Sequence, residues 1–414
     1  MAPFWPNAIA MGAHRVAEIF PRSFAEVESQ WRHPSDVLSI LLIIGGEVIQ
    51  TALAQLCGGR YHFTPIAFSF GWVAYSISAV LTGIGEGRLM PKPDIDLILI
   101  NAKSGQTRPN KSWVLGRIWR DWRDHPYDPN YALCVSVLQT STNKDHGTPD
   151  WDVVWYTGVA TILVQAGIAA IPGILYGAWE IMVVTLCGTF LALVSSAQPE
   201  WRTEKWPARY LGGTSKETRR LQQKTVCLTG GNGSNRVIVI KSNGNELDLE
   251  DLALARSNPG QYTKVTTSIF AFLWIVLLLI VAGIKEHSWF LLAVGALGMA
   301  QNVLAAGLPR SPSALGVHLD RVSFIHPQVG VLRNKVMCVL METEERFPRV
   351  GKCMLQEFFP AGLRENEKQW WDTQTAKVVE AEKLAKAQKE NQALAENQGQ
   401  TENRALKRND HTAT

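Results

Sequence analysis

Apolar stretches alternate with charged stretches along this chain of 414 residues. Six apolar segments are long enough for a helix to cross about 30 Å of hydrocarbon. The predicted spans cover residues 37–56, 66–85, 153–171, 173–195, 266–284 and 289–308. The alternative is a soluble protein with buried core helices, but IFAFLWIVLLLIVAGI in the fifth span has no polar face to turn towards water.

Short connections pair the six spans into three hairpins. These connections are CGGRYHFT after the first span, the corner Ile171-Pro172-Gly173, and KEHS before the sixth span. Residues 86–152 and 197–265 form the long connections. We therefore expect both long connections and both termini to lie together on the other side of the membrane.

Basic residues predict the orientation. Of the 41 Lys and Arg residues, only Arg60 and Lys285 fall on the side of the short connections. Because cytosolic loops carry an excess of Lys and Arg, we predict that both termini and both long loops are cytosolic, in the endoplasmic reticulum or another endomembrane. The net charge of +4 fits a face turned towards anionic lipid and requires no nucleic-acid partner.

The polar segments contain patterns of their own. DLILIN, a helix after Ser112 and YALCVSVLQT predict a strand-helix-strand unit, and KTVCLTGGNGSNRVIVIKS predicts a β-hairpin. The predicted fold class is an all-α integral membrane protein with six transmembrane helices in three hairpins and a small α+β cytosolic cap, formed by the two long loops and the tail. The predicted domains are an N-terminal segment (1–35), the hairpins (36–85, 153–196 and 266–308), the two cytosolic loops (86–152 and 197–265), an ordered segment (309–362) and a charged, helical to disordered tail (363–414).

The stretch WVLGRIWRDWRD, residues 113–124, predicts an amphipathic helix. Its apolar face carries Val114, Leu115, Ile118, Trp119 and Trp122, and its polar face carries Arg117, Arg120, Asp121, Arg123 and Asp124. One interpretation is that the apolar face packs on the two neighbouring strands. The other is that the helix lies in the lipid headgroup layer, where its Trp and Arg residues contact anionic lipid.

Polar side chains recur inside the predicted spans. They are Glu47, Gln50 and Thr51 in the first span, Thr157, Thr161 and Gln165 in the third, Tyr176 and Glu180 in the fourth, and Gln301 and Asn302 in the sixth. Polar groups are costly against lipid, so we expect all of them to point into the bundle.

The two carboxyl groups are the candidate catalytic residues. No Lys, Arg, Asp or His lies inside any span, so Glu47 and Glu180 have no intramembrane cation as a partner. Three roles stay open: a neutral hydrogen-bonded pin between helices, a general acid that protonates an alkene, and a proton relay in a transporter.

Metal and cofactor sites are not predicted. The six cysteines form no CxxC pair; four are placed on the cytosolic side, Cys187 in a span and Cys57 on the opposite side, so no disulfide framework is expected. The loop GGNGSN lacks the Lys of a phosphate-binding loop, and no helix follows it.

Three strings carry a resemblance to a known family. INAKSGQTRPNKSWVLGRIWRD, GGEVIQTALAQL and TPIAFSFGWVAY resemble multi-pass membrane proteins of filamentous fungi, and in particular the membrane proteins of indole-diterpene clusters such as those for paxilline and aflatrem. The resemblance covers about residues 36–310. It implies a setting in fungal secondary metabolism and supplies no catalytic residues. The chain also lacks the DDxxD pattern of soluble prenyl-chain enzymes.

The function expected from these observations is an accessory membrane component of terpenoid biosynthesis that handles a lipophilic small molecule. The alternatives are a membrane transporter or proton-coupled carrier, and a membrane scaffold without chemistry. Protein partners stay open.

Overall fold

The structure, a computed structural model, describes most of the chain. The described residues are 45–59, 63–85, 88–122, 131–141, 144, 147–209, 211, 223–244, 247–256, 261–284, 286–326, 335–384 and 387–388. The predicted N-terminal segment, the first part of the first predicted span, Arg60, Arg123 and the end of the tail lie outside these residues.

The predicted all-α fold with six spans is wrong, because the described chain combines a helical bundle with a six-stranded mixed sheet. Three described helices are long and apolar enough to cross a membrane: Val153–Tyr176, Tyr262–Gly283 and Ser288–Gly307. A fourth, Glu180–Ser196, reaches the required length only together with Pro199–Lys205, which follows after a bend of 41°.

The helices are numbered in chain order. They are α1 (Gly46–Leu56), α2 (Gly71–Gly85), α3 (Trp113–Asp121), α4 (Val153–Tyr176), α5 (Glu180–Ser196), α6 (Pro199–Lys205), α7 (Leu249–Leu254), α8 (Gln261–Gly283), α9 (Ser288–Gly307), α10 (Pro312–Leu315), α11 (Val336–Arg346), α12 (Val350–Phe358) and α13 (365–384). Helices α1, α2, α4, α5, α8 and α9 form the bundle.

The sheet assembles strands from three separate parts of the chain. They are β1 (Ile98–Asn101), β2 (Thr107–Pro109), β3 (Cys134–Thr140), β4 (Thr225–Thr229), β5 (Arg236–Lys241) and β6 (Leu319–Ile325). Their order is β2-β1-β4-β5-β3-β6, and only the β3–β5 pair is parallel, with Val137 opposite Val239. Continuous apolar runs such as RVIVIK fit this arrangement, because both faces of the sheet are covered.

Helices cover the two faces of the sheet. On one face, α11 and α12 pack on it together with Trp371 of α13. On the other face lie α7 and Leu115 of α3. The neighbouring residues Val114 and Ile118 belong instead to the core of the bundle. Helix α3 is therefore wedged between sheet and bundle, and its apolar face packs on protein.

The end of the bundle that meets the sheet, here called the sheet side, is defined by the ends of its helices. Helix α4 begins there, since its N-cap Asp152 pairs with Arg310 just after α9. Helices α4 and α8 run away from the sheet side, and α5 and α9 return to it. Helix α1 also ends there, because Lys205 donates to the carbonyl of Cys57 over 2.7 Å. The CGGRYHFT connection and Cys57 were predicted on the opposite side, and the structure places Cys57 and the described ends of the connection, residues 57–59 and 63–64, on the sheet side.

Residues 63–85, predicted to contain the second span, fold as a hairpin that enters the bundle from the sheet side and returns to it; we name it the re-entrant hairpin. An extended limb, residues 63–70, begins beside Trp155 in the first turn of α4 and descends to Gly298 in the middle of α9. The chain then turns into α2, whose Trp72 stacks on Trp274 of α8. After α2, the backbone N–H groups of Leu89 and Met90 donate to Glu204 of α6 on the sheet side.

The extended limb is enclosed by protein. Residues 64–70 are all buried, including Phe68 and Phe70. Glycines on the surrounding helices make room for it: a Cβ at Gly158 would lie 2.2 Å from the Pro65 carbonyl oxygen, and one at Gly298 would lie 1.8 Å from that of Phe68. Non-helical backbone is tolerated at membrane depth only when protein surrounds it in this way.

Side chains of the bundle donate to two carbonyls of the limb, those of Ala67 and Phe68. Gln165 Nε2 donates to the Phe68 carbonyl over 2.7 Å, and Asn302 Nδ2 donates to the Ala67 carbonyl over 3.1 Å and to Ser69 Oγ over 3.2 Å. Trp72 Nε1 adds a bond of 3.2 Å to the Ala67 carbonyl. Because an extended strand without a neighbour has no ladder partner, these side chains replace the missing backbone donors.

The close approach at Gly298 generates the first prediction. We expect Gly298→Ala to destabilise the protein by at least about 2–3 kcal/mol, since its Cβ would overlap backbone atoms that cannot rotate away. The matched control is Gly167→Ala on α4, where a Cβ meets nothing within 4 Å. Thermal unfolding in detergent measures both. Equal midpoints for the two variants would contradict the hairpin packing.

Gln165 provides a second test. Gln165→Leu keeps the side-chain size but removes the donor to the Phe68 and Val294 carbonyls, so we expect a loss of roughly 2–4 kcal/mol. Thr161→Val, one helical turn earlier on α4 and only partly buried, should change stability by less than about 1 kcal/mol. The measurement is the thermal unfolding midpoint of each variant in detergent. A midpoint for Gln165→Leu equal to that of the unaltered protein would contradict the prediction.

Candidate functional site

The two candidate carboxyl groups do not form a buried pair. Glu47 is exposed in the first turn of α1, and Glu180 is exposed in the first turn of α5, at the end of the bundle away from the sheet. The sequence predicts Glu180 inside a span, because a hairpin corner at Pro172 would place the start of the next helix there. The helix continues through Pro172, and the corner lies at Gly177, which has a φ of 74°. The structure therefore does not bring together an acid pair inside the bundle.

The other polar residues of the spans act mainly as hydrogen-bond partners. Gln301 Nε2 donates to Thr157 Oγ1 over 3.1 Å, which joins α9 to α4. Gln50 is partly buried and donates to the Leu89 carbonyl over 2.8 Å, while Thr51 and Thr161 are also partly buried. Tyr176, at the end of α4 away from the sheet, is exposed and stacks on His287 with ring centroids 4.5 Å apart.

Buried cations meet on the sheet side of the bundle. Lys205 and Arg310 both point at the C-terminal end of α1, where Arg310 donates to the Gln55 carbonyl over 2.5 Å. Arg117 donates to the carbonyls of Ala306 and Leu308 at the end of α9, over 3.0 and 2.9 Å. The last carbonyls of a helix lack backbone partners and carry partial negative charge, so buried cations are stabilised there.

Carboxylates complete the junction. Arg117 Nε donates to Asp121 over 2.8 Å, and Arg310 makes two parallel bonds to Asp152, of 2.7 and 2.8 Å. The Arg310 backbone N–H also donates to Asp121. The side chains of Arg117 and Arg310 are 1% and 2% exposed. Arg117 was predicted to be able to contact lipid headgroups, and the structure places it in this internal network.

The remaining described members of the predicted interfacial set, Trp119, Arg120 and Trp122, line the outer side of the same junction. Arg120 donates to Asp94 and Asp121, and its side chain is one-third exposed. Arg236 lies over the ring of Trp119, 4.7 Å from its centroid, and donates to the carbonyls of Trp119 and Trp122. These contacts fix α3 on the sheet.

A cavity of about 320 Å³ opens beside this junction. Its lining is mostly apolar or aromatic, with Arg310 and Asp150 as charged members: Leu56, Gly59, Phe63, Pro149, Asp150, Trp151, Trp155 and Arg310. Trp151 and Trp155 stack with ring centroids 4.4 Å apart, and Phe63 meets Trp155 edge to face. Trp151 is 54% exposed, so the aromatic wall continues to the outside of the protein.

Both charges of the cavity have protein partners. Arg310 pairs with Asp152, and Asp150 Oδ2 accepts a bond of 2.7 Å from Lys144. The cavity therefore offers apolar surface beside polar groups whose charges are balanced. Among the described residues, no group of three His, Cys, Asp or Glu side chains is arranged to hold a metal ion.

Comparison of the chain with protein-family models, with curated proteins and with solved structures gives no match. The resemblance to fungal indole-diterpene membrane proteins consequently stays a prediction from the sequence.

Among the junction residues, Lys205, Arg310 and Asp152 were not predicted from the sequence. Lys205 lies 148 residues from its partner Cys57, and Arg310 lies 158 residues from Asp152. The sequence contained one signal for the Arg310–Asp152 pair. Asp152 directly precedes one apolar helix, and Arg310 directly follows another apolar helix. Helix ends on one side of a bundle lie close together, which makes opposite charges at such positions candidate partners.

The burial of Arg117 generates the third prediction. Arg117→Met removes the donors at the end of α9 and should destabilise the protein by about 3 kcal/mol or more. Arg120→Met, three residues later and more exposed, should cost about 1 kcal/mol or less. Thermal unfolding in detergent and flotation with anionic vesicles are the two measurements. If α3 is instead a lipid-binding helix, both variants lose vesicle binding to a similar extent and neither changes the midpoint.

Proposed function

We propose that the protein is a membrane-embedded binding protein whose cavity beside Arg310 holds the polar end of a lipophilic small molecule. The observation that carries this proposal is the cavity itself, with aromatic walls and a balanced pair of charges. Its volume of about 320 Å³ is at the lower end of the range for small-molecule sites.

The position of the cavity supports an amphipathic ligand. It lies where the apolar helices meet the polar sheet domain, next to the first turn of α4. Trp side chains at such a level are typical of the membrane–water interface. A molecule with its chain along the apolar helices and its head near Arg310 would satisfy both environments.

The charge balance favours a neutral head group. The Arg310 guanidinium is engaged by Asp152 in a bidentate bond, and Asp150 is engaged by Lys144. A diphosphate would have to displace these carboxylates and would bring strong negative charge next to Asp150. A hydroxyl or carbonyl group needs only a hydrogen bond, so the ligand class we propose is a prenyl alcohol or a related neutral terpenoid.

A transporter is the second candidate, and the re-entrant hairpin favours it, because broken and re-entrant segments occur in channels and transporters. The middle of the described bundle is filled, however: Phe68, Trp72 and Trp274 are at most 1% exposed, and both Phe68 and Trp72 stack on Trp274. This packing of the bundle centre favours a binding protein over a transporter that passes a substrate between the helices.

The exposed carboxyls suit a binding role better than acid catalysis. A general acid in the bundle would need Glu47 or Glu180 to face an enclosed apolar site, and both are exposed. We accordingly propose an accessory component of terpenoid metabolism. The fungal and pathway setting rests on the sequence resemblance, and cytosolic termini rest on the distribution of Lys and Arg.

Photolabelling tests the proposal. A farnesol analogue with a diazirine and an alkyne, added to the full-length protein in nanodiscs, should label peptides that contain Phe63 or residues 147–155. Excess farnesol should compete, and farnesyl diphosphate should compete much less. Trp151→Ala should reduce labelling roughly tenfold, since one lost aromatic contact is worth about 1.4 kcal/mol.

The matched control is Trp289→Ala, a Trp of similar exposure in the first turn of α9 at the other end of the bundle. It should leave the labelling unchanged. Labels spread evenly over the lipid-facing helices, without competition and with equal yield in both variants, would overturn the proposed cavity.

A further inference from the structure

Two cysteines from distant parts of the chain meet under a cleft in the sheet domain. Cys227 on β4 and Cys353 in the first turns of α12 are 126 residues apart, and their sulfur atoms are 3.7 Å apart. Cys227 is buried in the core between the sheet and helices α11 and α12, whereas Cys353 is partly exposed. We propose that this pair is a reversible thiol modification site, in which a peroxide oxidises Cys353 and Cys227 then closes a disulfide.

The cleft gives a reagent access to one of the two thiols. Its volume is about 340 Å³, and Cys353 lines it together with Lys103, Ser104, Arg349, Lys352 and Glu344. A molecule the size of hydrogen peroxide enters such a space easily. Cys227, with no exposed surface, is reached only through Cys353.

Exposure and hydrogen bonding assign the roles of the two sulfurs. Cys353, on the N-terminal part of α12, lines the cleft together with Arg349 and Lys352, and its Sγ donates to the Val350 carbonyl over 3.1 Å. Glu344 lines the same cleft and accepts the backbone N–H groups of Arg349 and Lys352, while Glu382 accepts two bonds from the Arg349 guanidinium. The hydrogen bond with Cys353 and burial raise the pKa of Cys227, which keeps that thiol protonated. Cys353 is therefore the attacking sulfur and Cys227 the resolving one.

The chemistry balances in two steps. In the first, the Cys353 sulfur attacks one peroxide oxygen, the O–O bond breaks, and the products are a sulfenic acid and water. In the second, the Cys227 sulfur attacks the Cys353 sulfur, its proton leaves with the hydroxyl group as a second water, and the S–S bond forms. Together the thiols lose two electrons to the peroxide.

Geometry permits the bond with a small movement. A disulfide needs sulfur atoms about 2.05 Å apart, so the pair must close by a little under 2 Å from 3.7 Å. Open space beside Cys353 on the cleft side allows its side chain to turn. The product would join α12 covalently to the centre of the sheet.

Peroxide treatment of the full-length protein in detergent tests the pair. After a stoichiometric dose of hydrogen peroxide and denaturation, maleimide labelling should find four free thiols in place of six. Dithiothreitol should restore six. Tryptic peptides should show a Cys227–Cys353 bond, in a yield that does not depend on protein concentration.

Single substitutions separate the roles. Cys227→Ser should leave a sulfenic acid at Cys353 that dimedone traps, and Cys353→Ser, or Cys353→Ala if that variant folds better, should leave Cys227 reduced. The matched control is Cys338→Ser on α11, also a partly buried cysteine, which should form the disulfide as the unaltered protein does. Equal oxidation of all six thiols, or dimedone trapping at Cys338 in preference to Cys353, would overturn the proposal.

Discussion

The structure depends on satisfying the backbone of one extended segment inside an apolar bundle. Residues 64–70 are buried and pair with no neighbouring strand, so their carbonyl groups need partners inside the protein. An unsatisfied polar group there costs several kcal/mol. Gln165, Asn302 and the Trp72 indole supply the donors, and glycines at 158 and 298 supply the space. The buried amide side chains of the bundle are thus explained by packing, and they need no substrate to account for them.

The hairpin that begins with this segment couples the bundle to the sheet domain. After α2, the chain returns to Glu204 of α6, and the adjacent Lys205 donates to the carbonyl of Cys57 at the end of α1. Arg117 and Arg310 extend this set of contacts to α9, α3 and Asp152. Because every cation in this network lies at a helix end or against a carboxylate, charges can be buried at the junction. The proposed binding cavity lies at the edge of this rigid network.

Local patterns in the sequence predicted many of the helices and strands, but they did not predict the contacts between residues that are distant in the chain. The apolar runs of α4, α8 and α9 and the strand patterns of ILIN and RVIVIK lie where they were expected. The span predicted at residues 66–85 is wrong, because hydropathy reports burial and does not distinguish a lipid-facing helix from an enclosed extended limb. The contacts Lys205–Cys57 and Cys227–Cys353 could not be predicted from local sequence patterns, because they join residues that are 148 and 126 positions apart in the chain.

Side-specific labelling tests the re-entrant hairpin most directly. Phe63→Cys and Arg88→Cys, each in a chain whose native cysteines are replaced by serine, are exposed to a membrane-impermeant maleimide in sealed vesicles. Lys103→Cys in the sheet domain serves as the reference for the sheet side. We predict that both sites react from the same side as Lys103→Cys, because both limbs of the hairpin end there. Reaction of Phe63→Cys and Arg88→Cys from opposite sides would show that residues 66–85 cross the membrane and would contradict the account.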